Sequence, residues 1–359
     1  MKHIVHIVEA TGGGVLKYLL QLTKDAGGSD LSHTILYSHR DVTPDNLSEL
    51  FAPHVRLVHF PMVRQISPAK DWDTIRQLYR YLRELQPDVI HLHSSKAGFL
   101  GRLAAWLLRK PKVYYTPHGY SFLMNSEGFL KRAVYFAAEL VLSQVRGGII
   151  ACSKSEHRFA RMLNPFGENI LLENALDLHV PQHQERSPLR IVAVGRLDEQ
   201  KNPLLFIRII ARLRQFLPEI EAVWIGDGPL RSACEQLDRE TGANITFTGW
   251  LPHPEVLTHV ATAGLFLQTS RWEGLPFSIL EAFALGAPII ASDITAHRDL
   301  ITGQNGLLAH DENDFVQHAL TVLRQPEVAQ ALSQGALKSH QTTYSYDTFI
   351  QTIQTIYNN

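Results

Sequence analysis

Strand-like and helix-like runs alternate from the start of this chain almost to its end, and the series restarts once, halfway along. Short apolar, β-branched runs fall at 3–8, 32–38, 55–59, 89–93, 113–116 and 148–152, with amphipathic stretches at 16–24, 73–85, 100–108 and 130–145 between them. A second series predicts strands at 190–194, 221–225, 245–248, 265–268, 288–291 and 306–308, with helices starting at 203, 229, 254, 276, 295 and 312. Such a pattern specifies parallel sheets covered by crossover helices. At 359 residues the chain also exceeds one ordinary core. The break falls at 178–188, a polar segment bracketed by Pro181 and Pro188. The expectation is an α/β protein of two Rossmann-like, doubly wound domains, 1–180 and 181–345, facing an interdomain cleft.

Hydrophobic residues make up 45% and charged residues 19%, the balance of a soluble globular protein. The net charge of -1 hides an asymmetry: residues 1–180 carry 21 Lys and Arg against 16 Asp and Glu, and residues 181–359 carry 13 against 19. The mildly basic first half suits an anionic ligand or an anionic membrane surface, and is too weak for a nucleic-acid partner. Two cysteines, Cys152 and Cys234, build no disulfide framework and suggest a reducing compartment. Met1-Lys-His-Ile-Val leads directly into a strand without a secretory leader. The longest apolar helical stretches, 97–108 and 133–142, fall short of the roughly 20 residues of a membrane span. A cytoplasmic location is expected.

The most informative local stretch is Trp272-Glu273-Gly-Leu-Pro-Phe-Ser-Ile-Leu-Glu281-Ala. A buried parallel strand precedes it and a helix with Pro276 in its first turn follows. Glu273 then sits on a loop at a strand's carboxyl end, where open α/β sheets bind ligands, and Glu281 about one turn inside the next helix. Glu281 is flanked by Ile279, Leu280, Ala282 and Phe283, a poor setting for a solvated charge. Ionised carboxylates held there suit hydroxyl-rich ligands. A solvated loop Glu and a helix-surface Glu would fit the spacing equally.

Other strand ends add to this. Gly12-Gly13-Gly14 opens the first helix, where backbone N–H groups can approach an anion. The spacing is not G-x-G-x-x-G, and Ser38-His39-Arg40 stands where a dinucleotide fold wants a ribose acid. The second series opens with Gly195-Arg196-Leu-Asp-Glu-Gln-Lys201-Asn-Pro203. Arg196 can grip a diphosphate bidentately and Lys201 can add a point charge, or both can serve a solvated loop. Gly226-Asp227-Gly228-Pro229 initiates a helix, and Thr248-Gly-Trp-Leu251 ends a strand where a base could lie. In Tyr115-Thr-Pro117-His118-Gly119-Tyr120, Pro117 and Gly119 fix the backbone of His118 at the same kind of edge. His93-Ser94-Ser95-Lys96 ends another strand, with a serine available to cap the next helix. Asp71-Trp72-Asp73 has the spacing of a metal-bound nucleotide-sugar site, but capping and first-turn charge explain it more cheaply. No His/Cys cluster has zinc spacing, so no metal is expected.

Taken together and in order, Gly12-Gly13-Gly14, His118, Gly195-Arg196 to Lys201-Asn-Pro203, Gly226-Asp-Gly-Pro229 and Glu273-(seven residues)-Glu281-Ala resemble glycosyltransferase family 4 across nearly the whole chain. The resemblance implies a GT-B fold, a retaining reaction on a nucleotide-sugar, and a C-terminal helix in 346–359 that returns to the first domain. It implies that Arg196 and Lys201 neutralise the donor diphosphate, that Glu281 holds the ribose, and that Glu273 holds the sugar hydroxyls with backbone N–H groups of Gly274, Leu275 and Phe277. Leu251 would meet the base, His118 the transferred sugar, and Gly13 and Gly14 would lie beneath the phosphates. No cofactor or metal is implied.

Locally, His93-Ser94-Ser-Lys96-Ala-Gly98 with Tyr115 to Phe122 is similar to bacterial enzymes that build capsule or O-antigen. That likeness points to a polyprenyl-pyrophosphate-linked or other glycan acceptor, with Ser94, Lys96 and Tyr120 as acceptor contacts. The stretch 99–112, with Phe99, Trp106, Arg109, Lys110 and Lys112, reads as an interfacial segment on the inner membrane face or as a buried crossover helix ending in basic residues. The reading is a UDP-sugar-dependent glycosyltransferase, with a same-fold nucleotide-sugar epimerase or a non-catalytic nucleotide-sugar-binding protein as alternatives.

Overall fold

The computed structural model describes residues 1–24, 31–40, 43–63, 65–108, 110–123, 128–145, 147–178, 185–274 and 276–358. The chain folds as two compact units, Met1–Asn174 with Asp347–Asn359, and Ala175–Tyr346. The expected linker falls largely outside the described residues, at 179–184.

In the first unit β1 (Lys2–Val8), α1 (Gly13–Lys24), β2 (Leu31–Tyr37), α2 (Leu47–Leu50), β3 (Arg56–His59), α3 (Pro68–Leu85), β4 (Val89–His93), α4 (Ser94–Trp106), β5 (Lys112–Thr116), α5 (Phe129–Ser143), β6 (Gly148–Ala151), α6 (Lys154–Leu163) and β7 (Asn169–Leu171) follow one another. Their seven-stranded sheet has the order β3-β2-β1-β4-β5-β6-β7, parallel throughout. The order reverses between β1 and β4, and the strands' carboxyl ends at that reversal are where such sheets take ligands.

The two faces of this sheet differ in chemistry. Val5, Ile7, Ile90, Leu92, Val113 and Tyr115 point one way, into an apolar cluster with Leu78 and Leu82 of α3 and Leu100 and Ala104 of α4. Strand alternation puts His6, His91, His93, Tyr114 and Thr116 on the other face, in register His6↔His91, His91↔Tyr114 and His93↔Thr116.

The second unit contains β8 (Ser187–Val194), α7 (Pro203–Arg214), β9 (Glu221–Ile225), α8 (Arg231–Thr241), β10 (Ile245–Phe247), α9 (His253–Ala261), β11 (Ala263–Gln268), α10 (Phe277–Ala284), β12 (Ile289–Ser292), α11 (Thr295–Leu300), β13 (Leu307–Ala309), α12 (Glu312–Arg324) and α13 (Pro326–Thr342). Its six strands run parallel in the order β10-β9-β8-β11-β12-β13. β8 and β11 are therefore neighbours at the reversal, although 263 follows 194 by a long stretch of chain. Every residue of β11 is buried, as expected for a central strand covered on both faces.

The last helix, α14 (Tyr346–Asn358), returns to the first unit. It covers the histidine-rich face: Tyr357 Oη lies 2.6 Å from His91 Nδ1, Tyr114 donates its hydroxyl to the Ile356 carbonyl at 3.2 Å, and Phe349 packs edge-on to Tyr18.

Several boundaries differ from the sequence expectation. α3 begins at Pro68 rather than 73, because Ser-Pro supplies a helix start that the apolar periodicity does not. α8 begins at Arg231, leaving Pro229 outside it, and Pro276 is the N-cap of α10 rather than part of its first turn. His93, not a serine, occupies the N-cap of α4, and no side chain caps that end. The elements α2, α6, β7 and α13 were not foreseen, being short or polar.

Tyr357→Phe removes one buried hydroxyl partner of His91 and should cost about 1–2 kcal/mol. Urea denaturation at pH 7.5 measures this, and an unchanged midpoint would show that α14 does not depend on that bond.

Candidate active site

The loops that leave β8 and β11 meet because those strands are adjacent. Backbone bonds stitch them: Arg271 N–H donates to the Gln200 carbonyl at 2.8 Å, and the Thr269 hydroxyl to that of Lys201 at 2.9 Å. Asn202 takes a left-handed conformation (φ 52°) and Pro203 then opens α7. The Lys201 stem lies over Gly195, where a Cβ would stand 2.9 Å from the lysine Cγ. Glycine at 195 is thus a packing requirement.

At this meeting point Lys201 Nζ donates to Glu273 Oε1 at 2.5 Å. Ser270 donates its hydroxyl to the same oxygen at 2.8 Å and Gln268 its amide at 3.2 Å, while Gln200 donates to Oε2 at 3.2 Å. Burial pushes the Glu273 carboxyl up, but the Lys201 ammonium and these donors outweigh it and hold the group below its ordinary value. Glu273 is therefore an ionised acceptor, not a proton donor. Arg196, on the same loop, has a 52% exposed side chain whose Nε lies 3.9 Å from Asp198, outside this cluster.

Glu281 is 2% exposed inside α10, and its Oε1 lies 2.8 Å from His253 Nε2. His253 follows Leu251, which is half-buried in the segment after β10. Phe277 is buried at the start of α10 and Gly274 is half-buried, whereas Leu275 lies outside the described residues. His297 of α11 is completely buried, with Nδ1 2.7 Å from the Ser292 carbonyl and Nε2 without a hydrogen-bond partner among the described residues. Burial lowers its pKa to about 4. Neither His253 nor His297 stands out in sequence, since each contact depends on folding.

In the first unit His118 has φ 53° and Gly119 φ 95°. Glu156 fixes this turn, accepting from the backbone N–H of Gly119 at 2.5 Å and of Cys152 at 3.0 Å. Ser153, the N-cap of α6, accepts from Glu156 N–H at 3.2 Å, so half of a capping box anchors the loop. Gly13 starts α1 at φ 54° with open space beside it, so its dihedral rather than crowding favours glycine there. Gly14 is exposed.

The expected acceptor contacts are otherwise engaged. Lys96 Nζ pairs with Asp71 at 2.7 and 2.8 Å, Tyr120 is 1% exposed in the core, and Ser94 is half-buried at φ 71°. Asp71 also accepts from Ser67 N–H at 3.1 Å, in the first turn of α3.

Among the described residues, His6, His91 and His93 offer nitrogens within 4.8 Å of one another, close enough to share a metal. His91 and His93 stand two positions apart on β4, and His6 joins them from β1, a pairing across strands that no local spacing discloses. Their nitrogens already meet hydrogen-bond partners: His33 and His93 for His6, Tyr357 and Thr116 for His91, His6 and His118 for His93.

Two sequence-family profiles match the chain in tandem: "Glycosyl transferase 4-like domain" over residues 13–190 and "Glycosyl transferases group 1" over 188–325. An Escherichia coli UDP-Gal:alpha-D-GlcNAc-diphosphoundecaprenol alpha-1,3-galactosyltransferase is 28% identical over 327 residues, covering 82% of this chain and 79% of that protein. The Escherichia coli O-antigen biosynthesis glycosyltransferase WbnH is 30% identical over 258 residues, 70% of this chain and 71% of WbnH. Sucrose-phosphate synthase from Thermosynechococcus elongatus superposes with a TM-score of 0.82 at 18% identity, over 100% of this chain and 98% of that one. The fold is that of the GT-B glycosyltransferases. The chain belongs to the group 1, family 4-like glycosyltransferases.

Burial holds His6, His91 and His93 well below the ordinary imidazole range, His33 at about 4 and His118 at about 3. These native groups stay neutral where the unfolded chain, titrating near 6.5, takes up protons. Stability should therefore be intact above pH 7 and fall as pH drops from about 6.5 toward 4, each histidine contributing up to about 1.4 kcal/mol per pH unit. Urea midpoints between pH 7.5 and 5 measure this, and a flat profile would contradict the neutral cluster.

Proposed function

We propose that this glycosyltransferase moves a sugar from a UDP-sugar to a lipid-linked glycan during bacterial surface-polysaccharide assembly, with retention and without a metal. The observation that carries this reading is the buried Lys201–Glu273 pair at the sheet reversal, with Arg196 on the same loop. The named activities of the relatives support the substrate classes: one acts from UDP-Gal on a diphosphoundecaprenol-linked GlcNAc, another in O-antigen biosynthesis.

Lys201 and Arg196 would face the donor diphosphate and lower the cost of charge building on the leaving group. That is the task a divalent cation performs elsewhere. Glu273, held ionised, would accept hydrogen bonds from sugar hydroxyls that gain acidity as positive charge develops at C1. Glu281 would accept from the ribose, exchanging its bond to His253. Backbone groups at Leu251, Gly274 and Phe277 would meet the base and the sugar, Gly13 and Gly14 the phosphates, and His118 the transferred sugar. As the C1–O bond to the diphosphate breaks, the acceptor oxygen bonds C1 from the same face and its proton passes to the departing phosphate oxygen. No protein nucleophile is required, which fits a glutamate held by four donors.

Ser94 and Lys96 would border the acceptor, with Lys96 exchanging Asp71 for its pyrophosphate, whereas Tyr120, buried in the core, would have to be uncovered to reach it. The membrane contact would fall on α5 and on the end of the stretch 99–112. The helix α4 is mostly buried as far as Ala105, but Trp106 and Leu107 are exposed beside exposed Lys110 and Lys112, and Arg109 lies outside the described residues. On α5, Leu130, Val134, Ala137 and Val141 form an exposed stripe at helical spacing beside exposed Phe129 and Lys131. Among the described residues no helix is long and apolar enough to cross a membrane.

Transfer from UDP-sugars to a synthetic polyprenyl-diphosphate GlcNAc should give a product whose anomeric NMR coupling matches the donor, undiminished by EDTA. An inverted product, or activity lost to EDTA and restored by magnesium, would overturn the mechanism. Co-sedimentation with anionic vesicles reads the membrane contact, and its absence would remove that part. Lys201→Ala should lower kcat by about 10²–10³ while the protein stays folded by circular dichroism. A rate near wild type would remove Lys201 from leaving-group stabilisation.

A further inference from the structure

The first unit contains a line of imidazoles joined head to tail. His33 Nδ1 lies 2.9 Å from His6 Nε2, His6 Nδ1 lies 3.1 Å from His93 Nε2, and His93 Nδ1 lies 3.1 Å from His118 Nε2. His118 Nδ1 then lies 3.6 Å from Cys152 Sγ. The rings follow one another at centroid spacings of 5.2, 5.3 and 5.4 Å. His6 and His93 are completely buried and His33 nearly so, and Tyr18 packs edge-on against both His93 and His118.

A neutral imidazole has one N–H and one lone pair. Each link needs one of each, and every link joins an Nδ1 to an Nε2. If His118 carries its proton on Nε2, it donates to His93 Nδ1. His93 must then be protonated on Nε2, and so must His6 and His33. If His118 carries the proton on Nδ1, the same requirement places it on Nδ1 in all four. A mixed line sets lone pair against lone pair, or N–H against N–H, in a dry interior where an unmatched polar group is costly. An extra proton would likewise set donor against donor.

We propose that His33, His6 and His93 are positioning residues that hold His118 in a single neutral tautomer, so that one defined ring nitrogen of His118 keeps its proton. This rests on the reading of His118 as a contact to the transferred sugar. The Cys152 thiol ends the line: burial pushes its pKa up, keeping a proton available to His118 Nδ1. His91 stands beside the line but outside the constraint. Its nitrogens meet the hydroxyls of Tyr357 and Thr116, which can donate or accept.

In the ¹⁵N-labelled full-length protein at pH 7.5, long-range ¹H–¹⁵N correlations separate Nε2–H, Nδ1–H and imidazolium rings. The expected result is one neutral tautomer shared by His6, His33, His93 and His118, with His91 free to differ. Opposite tautomers within the four, or a charged ring among them, would overturn the relay. His33→Leu cuts the far end without touching His118, and should turn the His118 signal into a tautomer mixture. It should also lower kcat about threefold to tenfold at little change in donor KM. His33→Asn, whose amide reaches the position of Nδ1, should restore both. An unchanged His118 spectrum in a folded His33→Leu protein would reduce His33 to a packing role and sink the proposal. The relay is read from the spectra and the role of His118 from the transfer rate of His118→Ala, so either can fail without the other.

Discussion

An ammonium and a carboxylate, both largely withdrawn from water, link two loops at the carboxyl edge of the second sheet. Glu273 stays ionised at such burial because the Lys201 ammonium and the donors around it offset its desolvation. The pair forms because β8 and β11 are adjacent at the sheet's reversal, and because Gly195 leaves room for the lysine stem. Gln268 and Ser270 share Oε1 with Lys201 and Gln200 donates to Oε2, so the carboxylate's geometry is set from several directions while Oε2 can still accept a further donor.

The alternation of apolar runs with amphipathic stretches made the two parallel sheets legible, because parallel strands are buried on both faces and read as near-continuous apolar segments. The loops carrying Arg196, Lys201, Glu273 and Glu281 were legible for a related reason: glycine and proline mark where strands end, and ligands gather at those ends. Partnerships were not legible. Lys201 and Glu273 were each assigned to a donor substituent, yet they bind each other across 72 positions. His253 on Glu281, Lys96 on Asp71 and the buried His297 are of the same kind. Helix starts at Pro68 and Arg231 escaped because apolar periodicity does not mark them and no side-chain cap does so either. The stretch 99–112 combines the two readings, buried as a crossover helix as far as Ala105 and exposed at Trp106 and Leu107, because a crossover helix and an interfacial helix share an apolar face.

Both units pair buried charge locally, Lys201 with Glu273 in the second and Arg102 with Glu139 in the first. The first buries several titratable rings on one sheet face and keeps them neutral, matching hydrogen for lone pair along the strands. A neutral network tolerates a dry interior with less desolvation cost than an ion pair, but it becomes sensitive to the placement of single hydrogens.

The return of α14 makes the first unit discontinuous: Met1–Asn174 is finished by Asp347–Asn359, with the whole of the second unit between. On the ribosome, the seven strands of the first sheet emerge long before the helix that covers His91 and Tyr114. The second unit, continuous in sequence, can complete its own sheet while the first still lacks its cover. A nascent chain thus carries a histidine-lined sheet face, covered in part by Tyr18 of α1 but not by α14, through most of its synthesis, and a product cut short before Asp347 keeps it, a natural target for chaperones and proteolytic surveillance.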